Sequence, residues 1–271
     1  MKISALALCP FLLLASASGL KADEVTLDCV AEPAQRVEIG SPVTGLLAAV
    51  TVSRGVEVEK GQILARLDSA VEEANVALAT AQANAREALE AQRTRLTLAE
   101  TGLQRARQLV NSGSVSKSRV EELEATVEIG RRDLETELHR LRLAAIELQR
   151  QEALLSRQAI RSPIDGYVLE QKLSAGEFVR QDSPIMTLVQ TDPLHVEAYA
   201  PVALWERLTL GGSAVVLLDR PEKTRLDATV SVIDPVFDAA SGTFGIRLEL
   251  PNPENRLPAG QRCQVLLTFP S

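Results

Sequence analysis

Cysteine and histidine are the side chains best suited to nucleophilic, redox or metal chemistry, and this 271-residue chain carries few of them. They are Cys9, Cys29 and Cys263, with His139 and His195. One histidine lies in a helix-forming stretch and the other at the start of a strand-like run, so no histidine-rich metal set is available. The sequence holds no Gly-x-Ser-x-Gly, no Gly-x-Gly-x-x-Gly and no phosphate-binding Gly-Lys-Ser/Thr loop. Carboxylates are numerous but fall mostly on the outer faces of heptad-patterned segments, where solvation is their role. The chain is therefore read as a non-enzyme without a cofactor.

The cysteines point elsewhere. Lys2 followed by the small and apolar run Ile3 to Ala17 has the form of a secretory signal. Cleavage is expected after Ala15-Ser16-Ala17 or slightly later, after Ala22, so that residues 1–22 form the signal and remove Cys9. The run falls short of the ~20 residues that span a bilayer, and no other segment is long and apolar enough. A soluble periplasmic protein, at most peripherally attached to the inner membrane, is expected. In that oxidising compartment Cys29 and Cys263 either pair, tying an N-terminal strand to a C-terminal one, or remain two separate buried thiols. A formal net charge of −7 gives no general attraction for nucleic acid or an anionic bilayer. Aromatic content of 3% argues against a large aromatic-lined cofactor pocket.

The elements that position these residues are announced by a split repeat. Ile39-Gly40-Ser41-Pro42-Val43-Thr44-Gly45 is echoed by Ile160-Arg161-Ser162-Pro163-Ile164-Asp165-Gly166. Gly55 answers Gly176, Val58 answers Val179, Leu64 answers Ile185 and Leu67 answers Leu188, each pair 121 positions apart. Each copy reads as short strands between turns at Ser-Pro-x-x-Gly, at Gly55 or Gly176, and, in the first copy, at Lys60-Gly61. Two interlocking copies make a flattened β-sandwich from residues 37–68 and 159–190.

The insert, residues 69–158, reads as a helical hairpin. Ser69 to Asn111 contains no proline and is dominated by Ala, Leu, Glu, Gln and Arg. Asp68 or Ser69 caps its start, with Glu72 and Glu73 in the first turn. Leu78, Ala85, Leu89, Leu96, Ala99, Leu103, Ala106 and Val110 follow a stepped helical pattern that Gln82 and Gln92 interrupt. After the turn Asn111-Ser112-Gly113-Ser114, the return arm repeats Val120, Val127, Leu134, Leu141, Leu148 and Leu155 at heptad spacing. Arms of matched length form an antiparallel coiled coil on the order of 65 Å long at 1.5 Å per residue. Charge on both outer faces fits a projecting rod better than two helices packed on a globular core.

The half-repeats resemble the biotinyl/lipoyl domain. The lysine that carrier members modify lies in the turn that the insert replaces here, so Lys60 and Lys172 are expected to face solvent and no swinging arm is expected. A hairpin between lipoyl halves resembles the periplasmic adaptors, or membrane fusion proteins, of the HlyD-like group. Residues 23–36 and 191–271 resemble the adaptor β-barrel, carrying Asp234-Pro235, Ser241-Gly242-Thr243-Phe244 and Leu250-Pro251-Asn252-Pro253. Expected there are strands at His195 to Tyr199, Ala214 to Leu218, Ala228 to Ile233, Thr243 to Leu250 and Arg262 to Phe269. One short helix from Pro201 to Leu210 is also expected. A strand at Val25 to Val30 joining that barrel sets Cys29 beside Cys263. The expected fold is thus α+β: a coiled-coil hairpin inserted in a split lipoyl-like sandwich, followed by a small antiparallel barrel.

The resemblance also implies a site and partners. Adaptors that dock onto a TolC-type outer-membrane duct carry Arg, Leu and Ser at their hairpin tip with the spacing of Arg105, Leu109 and Ser116 here. The Arg donates to carbonyls or carboxylates of the duct, the Leu is buried at the contact and the Ser hydroxyl hydrogen-bonds. Implied partners are that duct, an inner-membrane transporter and further copies in a ring, trimer to hexamer. A transporter of the resistance–nodulation–division type is favoured, although the membrane-proximal domain of such adaptors has no counterpart before Ser271. The alternatives are an adaptor of an ABC-type exporter or type I secretion system, and a lipoyl-like scaffold without transport.

Overall fold

The structure is a computed structural model that describes residues 23–219 and 224–269; the expected export signal, residues 1–22, lies outside them. Strand β1 (Asp23–Ile39) leads into β2 (Gly45–Val50), β3 (Glu57–Val58) and β4 (Ile63–Leu67). Helices α1 (Ala70–Asn84), α2 (Glu87–Val110) and α3 (Lys117–Ser156) follow. The chain then returns through β5 (Ala159–Arg161), β6 (Gly166–Gln171), β7 (Phe178–Val179) and β8 (Met186–Pro201). Two units divide the chain, Arg36–Val189 and the described residues on either side of it.

Within Arg36–Val189 the repeat closes on itself. β2 of the first copy pairs with β7 of the second, Leu46 opposite Phe178, and β3 of the first pairs with β6 of the second, Glu57 opposite Tyr167. One sheet has the order β5-β4-β2-β7, and the other ends β8-β6-β3, the same arrangement after a shift of one repeat. The shared interior holds Ile39, Leu47, Val58, Leu64, Leu67, Ile160, Val168, Val179, Ile185 and Leu188, all under 9% exposed. Burying each large aliphatic side chain contributes about 1.5–3 kcal/mol. The recurring serines have a physical reason. Ser41 and Ser162 are both buried, and each hydroxyl donates to the carbonyl two residues on, Val43 and Ile164, at 2.5 Å. The turn is thereby sealed without an orphaned polar group. Gly55 and Gly176, at φ 85° and 90°, occupy the left-handed region that their turns need.

Lys172 departs from expectation. Its ammonium meets the Glu38 carboxylate at 2.5 Å with only 29% of the lysine side chain exposed, because the end of β1 runs beside it. That hydrogen bond, more than the charge alone, holds the Glu38 carboxyl below the usual carboxylate range.

The hairpin packs through α3, which lies along both α1 and α2. From Ala85 onward the seam is the expected one, with Leu89, Leu103 and Ala106 of α2 and Val127 of α3 buried. Before Ala85 it differs. Leu78 is 60% exposed and Ala79 is buried in its place. The outgoing arm is two helices, broken where Ala85 takes an extended conformation (φ −73°, ψ 91°). The half-buried and buried positions Glu72, Val76, Ala79 and Ala83 run in one helical phase, and Ala85, Leu89, Gln92 and Leu96 run in another. A continuous helix cannot serve both, and the break absorbs the slip. Gly130 sits where an added Cβ would approach Leu96 Cδ1 to 3.3 Å, so the arms meet closely at that level.

The other unit is a barrel. β1, β12 (Gln261–Phe269), β9 (Ser213–Leu218), β10 (Arg225–Ile233), β11 (Thr243–Leu250) and β8 neighbour one another in that order, and β8 pairs back to β1. Inward and outward positions alternate: Leu194, Val196, Ala198 and Ala200 of β8 are buried, as are Ile246, Leu248 and Leu250 of β11. The expected helix at Pro201 to Leu210 is instead a three-residue 3-10 turn, Val202–Leu204, followed by further turns. Trp205 and Arg207 donate three residues back, which seats both Leu204 and Leu208 in the barrel interior before Gly211 redirects the chain. Trp205 meets Phe237 and Phe244 edge to face at 5.0 and 5.1 Å between ring centres, and the two phenylalanines lie tilted to each other at 5.8 Å. Cys29 of β1 stands directly opposite Cys263 of β12, and their sulfurs are joined at 2.09 Å.

Candidate functional site

The turn between α2 and α3 is built by short polar side chains. Ser112 Oγ donates to the Leu109 carbonyl at 2.8 Å, satisfying one of the last acceptors of α2. Gly113, at φ 71°, donates its N–H to Val110 O at 3.1 Å and reverses the chain. Ser116 then starts α3 as its N-cap: its Oγ accepts the Arg119 N–H at 3.2 Å and lies 3.1 Å from Ser118 Oγ.

Arg105 and Leu109 lie one helical turn apart on α2 and face away from the seam. Leu109 is 48% exposed, and Arg105 is exposed with no ion-pair partner among the described residues. The neighbouring Arg107 differs, since it is spent on Glu124 of the opposite arm at 2.6 Å; Arg131 reaches back to Glu100 at 3.1 Å. These two cross-arm pairs fix how the arms slide against each other near the tip. The sequence-derived triplet therefore separates into two tasks. Arg105 and Leu109 form an outward strip free to meet a partner, whereas the acceptor side of the Ser116 hydroxyl is committed to the cap. Its proton remains able to donate.

Residues to which the sequence reading gave no site role flank this strip. Gln104, Gln108 and Asn111 line a groove of about 510 Å³ with Leu103, Arg107 and Val127 on another side of the tip. Amides three and four positions apart on one face were the available sign. In the barrel unit, Asn252 is 3% exposed, and its amide nitrogen donates to Thr191 O and Leu257 O, both at 2.9 Å. Its oxygen accepts Leu257 N–H at 3.0 Å, and its own N–H donates to Asp192 Oδ1. The Leu-Pro-Asn-Pro motif is thus a side-chain clasp on the β11–β12 loop.

Comparison with known proteins places this geometry. Residues 35–190 match the family described as the CzcB-like barrel-sandwich hybrid domain, and residues 193–271 the one described as the CusB-like β-barrel domain. An uncharacterized protein of Haemophilus influenzae is 24% identical over 240 residues, covering 88% of this chain and 56% of that protein. The cobalt-zinc-cadmium resistance protein CzcB of Cupriavidus metallidurans is 25% identical over 212 residues, 78% of this chain and 38% of CzcB. The chain thus spans about half the length, or less, of these curated relatives. The crystal structure of MacA from Actinobacillus actinomycetemcomitans superposes with a TM-score of 0.74 at 22% identity, covering 92% of this chain and 79% of that one. It shares the fold. With its sandwich split by a hairpin and its barrel closed by β1, the chain belongs to the CzcB-like barrel-sandwich hybrid family of membrane fusion proteins, the periplasmic adaptors.

Proposed function

We propose that this chain is a periplasmic adaptor that links an inner-membrane efflux transporter, of the resistance–nodulation–division type, to a TolC-type outer-membrane duct. Its work is mechanical: the hairpin reaches the duct, several copies assemble as a ring, and the barrel faces the transporter. The observation that carries this reading is the hairpin tip, where Arg105 and Leu109 are exposed on one strip while their neighbours are engaged within the coil. A cation without a partner and a half-exposed leucine suit a contact that pairs the guanidinium and buries the leucine. Family membership supports the same role, and the likeness to CzcB favours cobalt, zinc or cadmium as the cargo of the system. No energy source is assigned to the chain, and the transporter supplies it. Export to the periplasm through residues 1–22 and oxidation of Cys29 with Cys263 belong to the same proposal.

The test is a pull-down of a purified TolC-type duct by the full chain. Arg105→Asp reverses the charge and is expected to abolish capture while leaving the helical content unchanged by circular dichroism. Capture by Arg105→Asp at the wild-type level contradicts docking through this strip.

A further inference from the structure

The outgoing arm of the hairpin is one residue short of a continuous coiled coil. Its seam before the break, Glu72, Val76, Ala79 and Ala83, steps by four, three and four, so the next seam position falls at residue 86. The seam resumes instead at Ala85 and again steps by four, three and four through Leu89, Gln92 and Leu96. The missing residue leaves the rod's length unchanged, because one extended residue advances about 3.3 Å and two helical residues about 3.0 Å. The level of the break is also the least tied part of the rod. Between Ala79 and Leu89 no side chain is buried. The facing stretch of α3 runs from Gly130, which faces Leu96, to Gln158, and it holds no buried side chain either. Toward the tip, Glu100 and Glu124 pair across the arms with Arg131 and Arg107. At the base, Gln158 Nε2 donates to Glu72 Oε1 at 3.0 Å. Between those levels no hydrogen bond or ion pair joins the arms among the described residues.

We propose that Ala85 is a joint in the rod. The tip segment, α2 with the start of α3, swings on the base segment, α1 with the end of α3, and α3 bends at this level without breaking. A chain opens most easily where buried apolar contacts are few and helical hydrogen bonds are missing, and both conditions meet here. α3 is one helix from Lys117 to Ser156, so it keeps the two segments connected and limits the swing. The strip of Arg105 and Leu109 is thereby presented over a range of angles, while the base stays tied to the sandwich through Leu67 N–H and Gln158 O. A continuous heptad series would instead give one straight, stiff arm. The inference concerns the rod alone and holds whether or not the tip meets a duct.

Distances between paired spin labels on the full chain, read by pulsed electron spin resonance, test this. One pair, at Ala74→Cys and Ala91→Cys, spans the joint. A control pair, at Glu121→Cys and Leu138→Cys, lies on α3 on the tip side of it. All four positions are exposed, and each pair is 17 residues apart. The joint pair is expected to give a distance distribution about twofold wider than the control pair. Inserting one alanine between Asn84 and Ala85 brings both seams into one heptad series. That insertion is expected to narrow the joint pair to the control width and to raise the helical signal in circular dichroism. Melting curves check that each variant folds, and the comparison of the two pairs needs no insertion. A joint pair as narrow as the control overturns the proposal. A wide joint pair that a folded insertion variant leaves unchanged overturns the missing residue as the origin of the joint.

Discussion

Ser116 shows how one side chain can carry two claims that only substitution separates. As an N-cap, its loss in Ser116→Ala is expected to destabilise the hairpin by about 1 kcal/mol, and Ser116→Asp to restore it. If the hydroxyl only caps, duct binding follows stability across both variants; if it also donates to the duct, Ser116→Asp folds but binds more weakly. Asn252 makes a larger demand. Three hydrogen bonds of its side chain and one of its backbone lie in a buried position, so Asn252→Ala orphans several partners. A loss of about 1–3 kcal/mol is expected in chemical unfolding. Thr187 is the reverse case: its Oγ1 is buried with no partner among the described residues. Thr187→Val removes that orphan at similar shape and is expected to raise the melting temperature. Glu147 provides a pH marker. The hydrogen bond from Arg150, then that from Gln151, lowers its carboxyl from 4.5 to about 2. A folded-state value below the unfolded one means the interaction is intact above pH 4.5 and is lost as pH falls toward 2. Carboxyl NMR titration should place the midpoint near 2 and move it upward in Arg150→Ala; a wild-type midpoint at 4.5 contradicts the pair.

At the scale of elements, legibility followed side-chain size. From Ala85 to Leu155 large aliphatics at heptad spacing gave the seam, because leucine burial dominates the packing of two long helices. In α1 the seam is Val76, Ala79 and Ala83, while Leu78 faces out. A pattern that weighs leucine over alanine therefore picked the wrong face there and missed the break at Ala85. Amides at the start of α2 lack acceptors within the helix, so hydrogen exchange at Arg86 to Ala88 is expected to be faster than at the middle of α3. Equal protection contradicts a break. The turn at Val202–Leu204 was read as a helix because its apolar spacing is compatible with both, and only the need to seat Leu204 and Leu208 decides. The Asn252 clasp was illegible for another reason: its side chain bonds backbone groups, those of Leu257 five residues on and the Thr191 carbonyl 61 residues back, and backbone groups leave no mark in sequence. The tip triplet was named from resemblance, and the commitment of Ser116 to the cap emerged only from its hydrogen bond with Arg119 N–H.

At the scale of the molecule, the repeat does most of the specifying. Ser-Pro-x-x-Gly occurs twice because the same sealed turn is needed twice. The join between Cys29 and Cys263 closes a sequence separation of 234. Reduction, or a Cys29→Ser, Cys263→Ser chain, is expected to lower stability by about 2–5 kcal/mol. The hairpin enters and leaves the sandwich at one point, where Leu67 N–H meets Gln158 O at 2.8 Å and Arg66 pairs with Ala159. A short turn can bridge that gap. The most direct measurement is therefore NMR of a chain in which Ala70–Ser156 is replaced by a tight turn. Cross-half contacts of Leu46 with Phe178 and of Glu57 with Tyr167 are expected to persist, with cooperative unfolding of one sandwich. Loss of both contacts, with the two halves melting apart, would contradict a single body that carries the hairpin outward.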